Sequence, residues 1–94
     1  AHRSSLFSVR FELPLQTAVE VDKLEARIQK TLVNHPYLTG DDDLHLKVVE
    51  IGKDYVKYKM EMHATSSSNK LHRQLENEIL KEVLQFKREY DLAQ

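Results

Sequence analysis

Residues 44–51, "LHLKVVEI", and residues 55–63, "YVKYKMEMH", decide the fold; Gly52-Lys53-Asp54 joins them. In the second run Val56, Tyr58, Met60 and Met62 alternate with Tyr55, Lys57, Lys59, Glu61 and His63. A period of two marks a strand with one buried face. In the first run Leu44, Leu46 and Val48 share a face. Its phase breaks at Val49, which places a bulge or a strand end near Glu50. Two strands across so short a turn make a hairpin.

Upstream, "SLFSVRFEL" at 5–13 alternates too, with Phe7, Val9, Phe11 and Leu13 on one side and Ser8, Arg10 and Glu12 on the other. Pro14 ends this strand, because proline has no N–H for a ladder. From residue 20 to 34 the period changes. Val21, Leu24, Ile28 and Leu32 recur at three and four, the stripe of an amphipathic helix. Thr17 with Glu20 offers a capping box for it, and Glu20 or Asp22 offers a later start. Asp22 and Glu25 suit the positive end of the helix dipole. Asn34-His35-Pro36 closes the helix, since a residue before proline is pushed out of helical backbone angles.

"NHPYLTGDDD" at 34–43 reads as a solvated turn, with Gly40 for the bend. Three consecutive aspartates point different ways on an extended chain and lack the alternate-position spacing of a calcium loop. After Thr65–Asn69, a loop rich in N-cap residues, a long helix is expected over about 69–90. Leu71, Leu75, Ile79, Val83, Phe86 and Tyr90 form its stripe. Leu80 and Leu84 widen that stripe beyond what one face of a small sheet requires. They pack under the first helix or form a subunit contact, since large apolar patches mark partners.

The expected order is therefore β-α-β-β-α in one α+β domain spanning 1–94. The ferredoxin-like split β-α-β fold has this order plus a fourth strand beside the first. Here only Asp91-Leu92-Ala93-Gln94 follow, so that strand is missing or very short. The chain opens Ala-His-Arg without a methionine and is read as a fragment of a longer protein.

Composition narrows the function. A net charge of −1 gives no bulk basicity, so no nucleic-acid partner is expected. No cysteine is present, which removes disulfides, thiol nucleophiles and zinc–thiolate sites. No run approaches the roughly 18 apolar residues of a membrane helix. With two glycines there is no phosphate-cradling loop, and no serine sits in a nucleophile-elbow motif. Neither catalysis nor a cofactor is expected. His35, His45, His63 and His72 raise a metal site; only His45 and His63, on adjacent strands and one outward face, are placed to approach. The outward sheet face would show Arg10, Lys47, Lys57 and Lys59, with Glu12 and Glu61 at its margins. That is a candidate cationic face. It lacks the central aromatics with which RNA-binding sheets stack bases.

These segments, "VDKLEARIQKTLVNHPYL", "LHLKVVEIGKDYVKYKMEMHA" and "LHRQLENEILKEVLQFKREYDL", resemble the cytoplasmic C-terminal domain of the small-conductance mechanosensitive channel (MscS) family. The likeness covers roughly residues 7–92. It rests on a helix ending at "NHPYL", a strand ending "LKVVEIG", the alternating "YVKYKMEM" and the helix "ILKEVLQFKREYDL". The family's usual closing "I..P.P" strand is absent. The resemblance implies a non-enzymatic wall of a cytoplasmic vestibule. Identical subunits would form a homo-heptamer below a tension-gated pore that releases ions and small osmolytes after osmotic shock. Membrane attachment, at the cytoplasmic side of an inner membrane, would lie in segments N-terminal to this piece, the piece itself being soluble. The alternative is a free-standing ferredoxin-like regulatory domain that binds a small ligand or a metal.

Overall fold

The structure, a computed structural model, describes residues 5–32, 35, 44–64 and 68–92. Strand β1 (Ser5–Pro14) leads through a short helix α1 (Leu15–Ala18) into helix α2 (Val21–Leu32). The hairpin strands β2 (His45–Ile51) and β3 (Tyr55–Ala64) follow, then the 24-residue helix α3 (Asn69–Leu92). The sheet order is β1-β3-β2, and β3 runs antiparallel to both neighbours. β1 and β2 therefore run parallel, one on each side of β3. The α+β class and the β-α-β-β-α order are thus observed, with α1 as an addition. A ferredoxin-like fold needs a fourth strand beside β1, and the described residues contain none. The expected turn at 34–43 lies outside the described residues, His35 excepted.

The alternation read from the sequence places the apolar residues of β1 and β3 on one face, Leu6 and Tyr55 excepted. Phe7, Val9, Phe11 and Leu13 meet Val56, Tyr58, Met60, Met62 and Ala64, all buried. Leu24, Ile28 and Leu32 from α2 and Leu75, Ile79, Val83 and Phe86 from α3 cover them. Burial removes apolar area from water at about 25 cal/mol per Å², the main favourable term. Phe11 and Tyr58, paired across the strands, stack with ring centroids 5.4 Å apart.

The first helix starts differently from the capping-box expectation. Pro14, opposite Tyr55, is the last residue of the strand, and Leu15 N–H just beyond it still donates to the Asp54 carbonyl, at 3.0 Å. The chain then coils at once into α1, which buries Thr17 and Ala18. Thr17 accepts the Glu20 N–H through its backbone carbonyl, at 3.1 Å, so it is not a side-chain cap. Its hydroxyl is buried with no partner among the described residues. The helix proper starts just after Glu20, whose carbonyl accepts the Lys23 N–H.

Polar contacts hold the two long helices side by side. Arg27 of α2 reaches Glu82 at 3.2 Å and also bonds Glu89. Its guanidinium lies 6.0 Å from the Phe86 ring centroid. Past the end of α2, His35 Nε2 meets Glu78 at 3.0 Å. Glu78, Glu82 and Glu89 therefore mark the flank of α3 that faces α2. A residue two positions along a helix points roughly 200° away, so Leu80 and Leu84 look away from α2. They are 37% and 51% exposed, which overturns the expectation that they pack under the first helix.

This arrangement separates core from surplus on one helix. Ile79→Ala, at a side chain 1% exposed, is expected to cost about 3 kcal/mol of unfolding free energy. Leu84→Ala is expected to cost under about 0.5 kcal/mol. Urea unfolding followed by circular dichroism checks both, and equal losses would contradict this packing.

Candidate functional site

The outer face of the sheet carries no helix among the described residues, so its side chains form an exposed surface. Register orders that surface into rows running across the strands. Arg10 lies opposite Lys59, and Lys59 opposite Lys47. One row of three cations thus crosses the whole sheet. The next row is Glu12, Lys57 and Glu50; the row on the other side is Ser8, Glu61 and His45.

All four predicted cations are therefore brought together, but the face is more balanced than expected. Glu61 is not marginal. It sits on the central strand and holds Lys47 at 2.7 Å. That contact pulls its carboxyl below the usual carboxylate range, with smaller help from Lys59 and His45. Glu50 was not foreseen on this face. The bulge predicted near it falls between Val48 and Glu50, and the extra residue turns Glu50 outward. There it meets Lys57 at 3.7 Å. Among the described residues, Arg10 and Lys59 have no such carboxylate partner. They face each other directly, and like charges opposed across strands destabilise a sheet slightly.

A second polar unit closes the hairpin. Gly52 N–H donates to the Tyr55 carbonyl at 2.8 Å. The Tyr55 ring lies across Gly52 so closely that a Cβ there would sit 2.2 Å from its Cε1. This position therefore excludes any side chain while the ring stays in place. The Tyr55 hydroxyl donates to Glu50, and Lys57 Nζ stands 5.5 Å from the ring centroid. The hydrogen bond, then Lys57, lowers the Glu50 pKa; the same bond and the Glu50 charge raise that of Tyr55. Arg10, Glu12, Val49 and Lys57 line a shallow depression here.

His45 stands opposite Glu61, and His63 lies two residues further along β3. The two imidazoles are thus diagonal neighbours on one face. Among the described residues, no group of three histidine or acidic side chains is placed to hold a metal ion. Nor is any helix long and apolar enough to cross a membrane.

The edges of the sheet were less legible than its face. β1 and β2 each have one side without a strand partner among the described residues. Val48 and Ile51 lie on the helix side of β2, opposite Tyr58 and Val56, yet are 56% and 70% exposed. Alternation gave the direction of Val48, not that of Ile51 beyond the phase break; only the placement of the helices shows that no described residue covers them.

The chain matches no family model, no curated protein and no solved structure.

The Tyr55–Glu50 contact can be read by titration. Removing the carboxylate removes what opposes phenolate formation, so in Glu50→Gln the raised Tyr55 pKa should fall back toward the ordinary tyrosine value. Difference absorbance at 295 nm across alkaline pH checks this. An unmoved Tyr55 transition would contradict the contact.

Proposed function

We propose that this chain is a non-enzymatic interaction domain, and that it forms part of the cytoplasmic vestibule wall of an MscS-type mechanosensitive channel subunit. The observation that carries the reading is the row Arg10–Lys59–Lys47, exposed at its ends and half-buried at Lys59, laid across all three strands of a sheet face that carries no helix among the described residues. Such a face, turned toward a water-filled chamber, attracts anions without binding any one of them tightly. Fields from fixed charges raise local counter-ion concentration and fall off over about 8 Å at physiological salt. Exposed Leu80 and Leu84, on the side of α3 away from α2, supply apolar surface for contact with identical subunits of a homo-heptamer. The observed β-α-β-β-α order agrees with the segments that carry the resemblance.

A free-standing regulatory domain that binds metal through His45 and His63 is the second reading. The diagonal placement of the two imidazoles favours it. The described residues supply no third ligand of the kind a closed zinc site uses.

Patch-clamp recording of the full-length protein that contains this domain tests the channel reading. Tension-activated current is expected. Arg10→Gln with Lys59→Gln should shift the reversal potential in asymmetric salt toward lower anion permeability. Lys47→Gln should do less, because Glu61 already offsets its charge. Absence of tension-activated current overturns the channel reading; current with an unchanged reversal potential removes the filtering role.

A further inference from the structure

Of the two sheet edges among the described residues, that of β1 is both long and regular. Its register with β3 shows no break over residues 5–14, whereas β2 is interrupted by its bulge. A bulge is a usual protection against edge pairing. The Leu15 N–H bond to Asp54 fixes which backbone groups of β1 point at β3. In an antiparallel ladder such groups alternate. Odd-numbered residues therefore bond β3, and Leu6, Ser8, Arg10 and Glu12 turn their N–H and C=O groups to the open side. Pro14 also faces that side, where its missing N–H breaks no bond to β3.

Edge charges normally repel a second strand. Here Arg10 and Glu12 have opposite signs and flank Phe11 symmetrically. If two copies of β1 run antiparallel about a two-fold axis at Phe11, Arg10 of each copy stands opposite Glu12 of the other. Both residues lie on the outer face, and neither has an ion-pair partner among the described residues. Arg10, opposed by Lys59 on one side, would gain a carboxylate on the other. On the helix side, Val9 then falls opposite Leu13 and Phe11 opposite itself.

We propose that the occupant of the β1 edge is a second copy of this chain, joined in a two-fold dimer through Arg10–Glu12 pairs into one continuous six-stranded sheet. The interface is isologous: one patch meets itself, and the assembly closes at two. The inference goes beyond the channel reading and concerns the 94-residue chain itself. Its test involves no membrane, so either idea can fail without the other.

Sedimentation-velocity analysis of the 94-residue chain over a range of concentrations gives the test. A reversible monomer–dimer equilibrium is expected. Arg10→Glu places like charges at both symmetry-related pairs and should weaken the dimer about tenfold or more. That variant also puts a carboxylate opposite Lys59 within the chain, so its thermal unfolding midpoint should not fall. Adding Glu12→Arg to Arg10→Glu restores opposite charges and should return the dimer constant to within about threefold of the parent. A monomer at every concentration overturns the proposal, as would follow if another segment of the chain covers the edge. A dimer indifferent to both variants, or growth into larger polymers through head-to-tail edges, overturns it as well.

Discussion

β3 is the constraint on which the rest depends. It is the only strand with partners on both sides among the described residues, so one register sets two ladders. Its inner residues, Val56 to Ala64 at every second position, are buried almost completely. A slip by one residue would turn all of them to water and bring lysines inward. That penalty holds β1 and β2 in place, and through them the helices that cover β1 and β3. The outer residues of β3 inherit the same precision. Lys57, Lys59 and Glu61 stand in known rows because Val56, Tyr58, Met60 and Met62 cannot move.

The charge pattern of the outer face follows from that register plus one irregularity. Without the bulge before Glu50, β2 would keep a simple alternation and place Val49 where Glu50 now meets Lys57. With it, Glu50 joins Tyr55 and Lys57 at the hairpin end, while Glu61 and Lys47 pair at the other end. Among the described residues, the cations of this face without a carboxylate partner are thereby confined to the middle, at Arg10 and Lys59. Exposed ion pairs add little stability, about 0–1 kcal/mol each. Their effect here is to decide where uncompensated charge remains. A surface that appears basic from a count of lysines is, in space, one narrow cationic row between two mixed ones.

Element order, the three strands and the long helix were legible because each carries an unambiguous period. Leu24, Ile28 and Leu32 could only be one face of a helix, and the β3 alternation has no break. The bulge was legible from the phase shift at Val49, but not the consequence for Glu50, since direction after a bulge depends on the pairing with Lys57. Helix α1 was missed because "LQTA" is too short to show a period. It forms where Pro14 ends the ladder and Thr17 finds a buried place. Leu80 and Leu84 were ambiguous because interface and core leucines look alike in a sequence. Their exposure became visible only once Arg27 and His35 showed which flank of α3 meets α2.

Amide hydrogen exchange along β1 and β3 tests the central placement of β3 most directly. It is best measured on dilute Arg10→Glu chain, in which edge pairing between copies is suppressed. The account predicts slow exchange at Val56 through Met62 at both odd and even positions, because β3 bonds on both sides. Along β1 it predicts alternation: Phe7, Val9, Phe11 and Leu13 slow, Ser8, Arg10 and Glu12 fast. Uniform protection along β1, or alternation along β3, would show that β3 is not the middle strand and would contradict the account.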